Sequence, residues 1–190
     1  NSTDNVRTRS GCEGSSSISI INTTARAKCS GVQRGDAHWI INFRRAQAGR
    51  EDYFPLYFIW TTLRTCNFSC SYCDDHRGRK YPDLDNTGVL TTDQAKRLFR
   101  VMRTRTPALY YAGGEPTLRN DLPELMVTAR ELGYFPQLIN TNASILQKRL
   151  LNPGWKNFLS DIDILIVSLD SLRPSVLSDV YKTTMPEHVV

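Results

Sequence analysis

The chain has 190 residues, of which 40% are hydrophobic, and it carries a formal net charge of +5. That length suits one domain, or most of one with an extension, and that apolar content is enough to form a buried core. No apolar run approaches the roughly 18–20 residues of a membrane-spanning helix, and no stripe of Lys and Arg with interleaved aromatic residues marks a nucleic-acid surface. The composition therefore predicts a folded protein with no membrane-spanning segment and no nucleic-acid partner.

Residues 1–52 are polar and are predicted to form a flexible N-terminal extension, or one that is partly docked. They are rich in Ser, Thr, Asn, Arg and Gly, with short apolar patches only at 18–21 and 39–43. Such a composition buries too little apolar surface to form a core. Cys12 and Cys29 have no ligand-like neighbours here, so we expect them to be incidental. The sequence starts at Asn1 with neither an initiator Met nor a secretory signal, which either processing or an incomplete chain would explain, and we expect an incomplete chain.

From residue 53 onward, short apolar runs alternate with amphipathic segments. The run 56–63 is apolar and aromatic without clean alternation, which is typical of a strand covered on both faces. Residues 91–94 have the spacing of a capping box, and apolar residues then recur at helical intervals. We expect the inward side of this helix to be formed by Ala95, Leu98, Val101 and Met102.

Three more strands and three more helices are predicted further along the chain. The strands cover 108–112, 137–140 and 162–168, and the helices cover 121–133, 145–159 with a break near 152–154, and the start of a helix at 174–181. Strands that alternate with helices imply crossover connections and a parallel sheet. The fold class is therefore α/β, a partial (β/α) barrel or open sheet with about four β/α units visible, in a core domain over residues 53–190.

Three cysteines, Cys66, Cys70 and Cys73, lie within eight residues directly after the first predicted strand. Close spacing within an odd total of five cysteines suits a metal site better than a disulfide framework. Three thiolates on one loop can occupy three corners of a cubane cluster and leave the fourth iron without a protein ligand. An open iron is a place where a substrate can bind. This use of cysteine also predicts a reducing, cytoplasmic compartment.

This cysteine spacing, with the aromatic Tyr72 just before the last cysteine, resembles the signature of the radical S-adenosylmethionine (SAM) superfamily. The resemblance continues at 113–116, a Gly-Gly-Glu-Pro sequence directly after the second predicted strand. Active sites of parallel α/β folds lie at the C-terminal ends of the strands, and the motifs fall at such ends. Residues 55–190 are therefore identified as similar to the N-terminal portion of a radical SAM core, with C-terminal strands missing.

The resemblance implies a [4Fe–4S] cluster on the cysteines and SAM chelated to the open iron. Gly113 and Gly114 would let the backbone approach SAM closely, and Glu115 would accept hydrogen bonds from the SAM ammonium group. Tyr72 would place its backbone near the adenine. These four residues are therefore predicted to bind the cofactor.

Two further strand ends resemble SAM-contacting positions of the family. Asn142 follows the third predicted strand, although Ala143 stands where the family commonly has glycine. Ser168 and Asp170 follow the fourth strand and resemble a site that contacts the ribose and carboxylate of SAM. An alternative for Ser168 and Asp170 is that they only cap the next helix.

The activity that the resemblance implies is an oxidoreductase reaction. Reductive cleavage of SAM at the cluster would release a 5′-deoxyadenosyl radical that abstracts hydrogen from a substrate. The resemblance names no catalytic side chain, and it leaves open whether the substrate is a small molecule or a peptide. A low-potential electron donor such as flavodoxin or ferredoxin is the implied protein partner.

A different class of function remains open on the cysteines alone. They could belong to a non-enzymatic iron–sulfur or zinc-binding module for electron transfer or docking, with His76 as a fourth zinc ligand. Zinc sites commonly use paired ligand motifs, and the sequence has no second pair. The sequence at 113–116 favours the SAM enzyme over this alternative.

Overall fold

The structure is a computed structural model that describes residues 37–73 and 88–181. Most of the predicted N-terminal extension, including Cys12 and Cys29, lies outside the described residues, as does His76. In the two described ranges, no helix combines the length and the apolar character that crossing a bilayer requires.

The core is a parallel sheet of four strands whose order in space, β1-β2-β3-β4, is their order in the chain. The strands are β1 Tyr57–Thr61, β2 Ala108–Ala112, β3 Gln137–Thr141 and β4 Ile164–Val167. The helices are α1 His38–Gln47, α2 Thr92–Arg103, α3 Leu122–Glu131, α4 Leu146–Leu150 and α5 Pro174–Tyr181. A helix follows each strand, which confirms the predicted α/β fold with four β/α units.

Aromatic side chains form the centre of the core between the sheet and helices α2 and α3. Trp60 and Phe99 meet edge to face with 5.1 Å between ring centroids, and Phe99 meets Tyr111 in the same way at 6.3 Å. The buried hydroxyls are paired, since Tyr111 Oη donates to Gln137 Oε1 at 2.6 Å and Tyr134 Oη donates to the Phe99 carbonyl at 2.8 Å. These contacts stabilise the packing of the helices on the sheet.

Helix α2 begins at the predicted capping box. Thr91 Oγ1 accepts a hydrogen bond from the Gln94 backbone N–H, and the Gln94 side chain accepts one from the Thr91 N–H. The predicted inward side was wrong at Val101, whose side chain is 64% exposed. Ala95 and Phe99 are the fully buried residues of this helix, because the large Phe99 ring packs on Trp60 and thereby sets the helix rotation.

Strands β1 and β4 are partly exposed. The prediction that both faces of β1 are buried was wrong, because Phe58 and Trp60 face the core while the alternating Tyr57 and Ile59 are half exposed. β1 and β4 are the two edges of the sheet. All four side chains of β4 are 37–42% exposed.

The helix predicted over 145–159 is divided into α4 and two short 3₁₀ turns, Pro153–Trp155 and Phe158–Asp161. Asn152 closes the first of these turns by accepting a hydrogen bond from the Gly154 N–H at 2.9 Å. The proline and the asparagine therefore end the helix, which confirms the predicted break near 152–154.

Helix α1 lies within the predicted extension. Its His38 ring stacks on Phe54 with 4.7 Å between centroids. The Asn42 amide exchanges two hydrogen bonds of 2.8 Å with the backbone of Phe54. The end of the extension is thus docked on the segment that leads into β1, while the domain boundary after residue 52 stays a prediction.

Candidate cofactor site

The predicted site residues meet at one edge of the sheet. Cys66 lies shortly after β1, and Gly113, Asn142 and Ser168 directly follow β2, β3 and β4. Since all four strands are parallel, these positions share the carboxyl edge. The structure confirms this predicted placement of the motifs.

The three cysteines of the loop after β1 are free thiols, each of them half buried. Cys70 and Cys73 sit in one tight turn, in which the Cys73 N–H donates to the Cys70 carbonyl at 3.2 Å. The sulfur of Cys66 faces two donors, the Phe68 backbone N–H at 3.4 Å and Asn142 Nδ2 at 3.7 Å. Donors of this kind favour a negatively charged sulfur.

The end of helix α5 holds the cysteine loop from one side. The Phe68 and Tyr181 rings are buried and stacked, with 5.0 Å between centroids. Ser69 and Ser71 donate backbone hydrogen bonds to the carbonyls of Tyr181 and Val180, at 3.0 and 3.1 Å. The loop conformation therefore depends on a segment far away in the sequence.

The two glycines after β2 hold the loop from the other side. A Cβ added at Gly113 would lie 2.4 Å from the Leu63 carbonyl oxygen, and one at Gly114 would lie 1.9 Å from that of Thr65. The Gly114 and Glu115 N–H groups donate to these same two carbonyls, each at 2.9 Å. The glycines thus permit close contact between β2 and the segment that enters the cysteine loop. The predicted approach of their backbone to SAM stays a prediction.

The carboxylate of Glu115 joins the ends of β2 and β3. Its side chain is 1% exposed. Oε1 accepts hydrogen bonds from the Thr117 N–H at 3.0 Å, Thr117 Oγ1 at 2.5 Å and Thr141 Oγ1 at 2.6 Å, and Oε2 accepts one from the Asn142 N–H at 2.7 Å. Four donors offset the cost of burying the carboxylate. The predicted contact of this side chain with the SAM ammonium group stays a prediction.

We expect Glu115→Gln to lower the free energy of unfolding by about 2 kcal/mol or more, because the new amide group would face hydrogen-bond donors. Urea denaturation followed by circular dichroism measures this difference. The exposed Glu131→Gln is the matched control, with an expected change within about 0.5 kcal/mol. Equal effects of the two variants would contradict the structural role of Glu115.

Tyr72 and Asp170 connect the cysteine loop to the end of β4. Tyr72 Oη donates to Asp170 Oδ2 at 2.8 Å, and the Asp170 N–H donates to Tyr181 Oη at 3.0 Å. Desolvation and the bond to Asp170 raise the pKa of Tyr72, so its hydroxyl remains a donor. Ser168 Oγ donates to Asn140 Oδ1 at 3.0 Å. Both predicted residues after β4 therefore contact groups at the carboxyl edge.

Sequence reasoning missed a ring of hydrogen bonds beside Cys66. Asn142 Nδ2 donates to Asn67 Oδ1 at 2.9 Å, Asn67 Nδ2 donates to Ser144 Oγ at 2.6 Å, and Ser144 Oγ donates to Asn142 Oδ1 at 2.7 Å. The members are separated by up to 77 positions, so no local pattern in the sequence indicated their contact.

Ala143 occupies the turn between two ring members with a φ of +56°. Glycine adopts this left-handed conformation with least strain. Two local bonds hold the alanine in it: its N–H donates to Thr141 Oγ1, and the Ser144 N–H donates to Asn142 Oδ1, each at 3.0 Å. Ala143, at a position where the family that the sequence resembles commonly has glycine, therefore keeps the left-handed conformation.

The Cys66 thiol is held in its neutral form in the metal-free protein. Burial is the main cause that raises its pKa to about 11, with smaller contributions from the negative charges of Glu115, Cys70 and Cys73, against the opposing bond from Phe68. A buried thiolate lacks the hydration that stabilises it in water.

We expect the pH dependence of Cys66 labelling by iodoacetamide in the metal-free protein to have its midpoint near pH 11, because the thiolate is the reacting form. In urea, the same site should react with the midpoint of an ordinary thiol, about 8.5. Mass spectrometry of peptides after short labelling pulses across the pH range measures both midpoints. The same midpoint with and without urea would contradict the effect of burial.

The three thiols of the cysteine loop could each bind a different iron atom of a cubane cluster, whereas a zinc ion would draw all its ligands to one centre. Within the described ranges, no group of three or more His, Cys, Asp or Glu side chains is arranged to hold one metal ion. Three free thiols on one loop, with N–H donors at the sulfur of Cys66, fit an anionic iron–sulfur cluster.

Curated relatives match this chain over part of their length. Fe-coproporphyrin III synthase from Methanosarcina barkeri is 32% identical over 116 residues, which is 60% of this chain and 27% of the relative. GTP 3′,8-cyclase from Stenotrophomonas maltophilia is 35% identical over 124 residues, which is 63% of this chain and 35% of the relative. The chain thus spans about a third or less of these enzymes.

Solved structures share the fold. SuiB of Streptococcus suis bound to S-adenosylmethionine superposes with a TM-score of 0.55 at 20% identity, over 68% of this chain and 28% of SuiB. SuiB bound to its precursor peptide SuiA gives a TM-score of 0.50 at 23% identity, over 69% and 28% of the two chains. The model of the radical SAM superfamily matches residues 60–189, which include the cysteine loop and all four strand ends. The chain therefore belongs to the radical SAM superfamily.

Proposed function

We propose that this chain is the SAM-cleaving portion of a radical SAM enzyme. Members of the superfamily use a [4Fe–4S] cluster and SAM. When bound, these groups supply an electron from the cluster that splits SAM into methionine and a 5′-deoxyadenosyl radical, which takes a hydrogen atom from the substrate. The observation that carries the proposal is the meeting of three free thiols and the polar ends of β2, β3 and β4 at one edge of the sheet.

The proposed cluster ligands are Cys66, Cys70 and Cys73. They lie on a loop that is bonded on one side to α5 and on the other to the segment after β2. This two-sided support fixes the loop before any cofactor binds, which lowers the ordering cost of binding. Three thiolates leave one iron for the amino and carboxylate groups of SAM.

Tyr72, Gly113, Gly114 and Glu115 are proposed to form one side of the SAM site. Backbone groups at Tyr72 would lie beside the adenine, and backbone groups at the glycines would lie beside the methionine part. Glu115 is buried under this surface, where its four hydrogen bonds hold the ends of β2 and β3 together. Its contribution to SAM binding would therefore include the orientation of these strand ends.

Asn142, Ser168 and Asp170 are proposed to contribute polar groups on the other side of the site. Their positions directly after β3 and β4 support this role. Asp170 is already bonded to Tyr72 at 2.8 Å. SAM would meet a carboxylate whose orientation is set by the cysteine loop.

The substrate of the whole protein is proposed only by class. One relative is named as a GTP cyclase, and a structural neighbour was solved with a precursor peptide, so a small molecule and a peptide are both suitable. The electron is proposed to come from a low-potential donor such as flavodoxin or ferredoxin. A reducing cytoplasmic compartment would keep the thiols free for the cluster.

Anaerobic reconstitution with iron and sulfide tests the proposal. The expected result is a brown protein that forms 5′-deoxyadenosine from SAM with dithionite, tested on this chain and on the full-length protein. Calorimetric titration with SAM separates this function from a non-enzymatic module, which would bind no SAM. A colourless protein with stoichiometric zinc and no iron would overturn the proposal.

A further inference from the structure

We propose that the ring of Asn67, Asn142 and Ser144 fixes the Asn142 amide as a hydrogen-bond donor to the Cys66 sulfur, and that this bond raises the reduction potential of the cluster. The inference rests on the proposed function, because it concerns a cluster held by Cys66. It assigns the Asn142 side chain a role toward a cluster ligand, so that the proposed contact of Asn142 with SAM is left to its main chain. Asn67 and Ser144 become positioning residues.

The three hydrogen bonds of the ring all run in the same direction around it. Each member donates to the next: Asn142 to Asn67, Asn67 to Ser144, and Ser144 back to Asn142, at 2.9, 2.6 and 2.7 Å. Asn142 Oδ1 also accepts the Ser144 backbone N–H at 3.0 Å. With two donors on its oxygen, the Asn142 amide cannot be turned over without losing both bonds.

The fixed orientation leaves one hydrogen of Asn142 Nδ2 for the sulfur of Cys66. The nitrogen lies 3.7 Å from this sulfur, within the range of N–H···S contacts, and its other hydrogen is used by Asn67 at 2.9 Å. Asn142 is only 7% exposed. Little water is therefore available to compete for the amide or to replace it at the sulfur.

Two further contacts hold Asn142 in place through the main chain. Its N–H donates to the buried Glu115 carboxylate at 2.7 Å, and the next residue, Ala143, stays in the left-handed conformation. The side chain therefore starts from a fixed backbone position. This is the preorganisation that a directed bond to a cluster ligand requires.

Reduction of a cluster adds negative charge, part of which resides on its sulfur ligands. A donor at a ligand sulfur therefore stabilises the reduced state more than the oxidised state, and the reduction potential rises. Only the difference between the strengths of this bond in the two states shifts the equilibrium. Because bonds to charged groups are among the stronger hydrogen bonds, we expect this difference to be about a factor of ten, which for one electron is about 59 mV. Loss of the donor lowers the potential by a similar amount.

The test is a reduction titration of the reconstituted protein, followed by electron paramagnetic resonance in the absence of SAM. Asn142→Leu removes the donor with little change in shape, and Asn142→Asp keeps an acceptor for Ser144 while it places negative charge near the sulfur. Ser144→Ala opens the ring but keeps the amide. Asn157→Leu, an exposed site away from the cysteines, is the matched control.

We expect the Leu variant to show roughly a tenfold lower reduction equilibrium constant, the Asp variant a lower one still, and Ser144→Ala a smaller decrease. The control should keep the wild-type potential. If the Leu variant fails to fold or to take up iron, the reduction potentials of Asn142→Asp and Ser144→Ala test the inference. Wild-type potentials in cluster-loaded variants would overturn the inference, whereas a wild-type protein that takes up no iron would overturn the proposed function on which it rests.

Discussion

Replacement of Cys70 by serine is expected to abolish stable uptake of the [4Fe–4S] cluster and, with it, the formation of 5′-deoxyadenosine. The loop offers three thiols for three irons, so removal of one leaves an iron without a ligand. A serine hydroxyl stays protonated at neutral pH and does not replace a thiolate. Iron and sulfide content, visible absorbance and product formation from SAM measure the loss.

A matched cysteine outside the loop separates this effect from a general sensitivity to thiol removal. Cys29→Ser leaves all three proposed ligands in place, so it should retain the iron content and the activity of the wild type. Thermal denaturation of the metal-free Cys70→Ser protein should show a folded state. Full cluster content in this variant would contradict the assignment of Cys70 as a ligand.

The elements with strong local signals could be predicted from the sequence. Strand β2 has the predicted ends, 108–112, and its short apolar run lies between a proline and two glycines. Helix α2 begins at its capping box. Both signals act through neighbouring residues, so they need no knowledge of the tertiary structure.

Features that depend on distant contacts could not be predicted. Helix α1 is docked through Phe54, and its Trp39 and Phe43 are exposed. The polar sequence of residues 1–52 around this helix therefore predicted an extension without a core of its own. The rotation of α2 depends on the contact between Phe99 and Trp60. Periodicity alone gives a helix an apolar side, but the partner decides which residues are central.

In the candidate site, too, the local motifs could be predicted and the contacts between distant residues could not. The cysteine motif and the sequence after β2 are contiguous, so residues 66–73 and 113–116 could be recognised directly. The partners of Glu115 could not, because Thr141 and Asn142 reach it only after β2 and β3 have paired. The positions of motifs were therefore predictable, whereas the hydrogen bonds that orient them follow from the fold.

The glycines after β2 illustrate how a motif can have a structural reason besides a ligand. We expect Gly114→Ala to lower the free energy of unfolding by at least about 3 kcal/mol. The added Cβ would lie 1.9 Å from the Thr65 oxygen and 2.4 Å from its carbonyl carbon. These are backbone atoms, and the Glu115 N–H holds that same oxygen at 2.9 Å. No side-chain rotation can relieve the contact.

Relief of the clash requires movement of Thr65, the residue before Cys66. The variant should therefore lose cluster uptake as well as stability, and urea denaturation together with iron content after reconstitution measures both. Gly49→Ala is the matched control, since Gly49 has a φ of +67° with no atom within 4 Å of the added Cβ. Backbone strain alone should cost it about 1–2 kcal/mol and leave iron content unchanged. The same loss of stability and the same iron content in Gly114→Ala and Gly49→Ala would contradict this explanation, in which the close contact between β2 and the cysteine loop requires glycine at position 114.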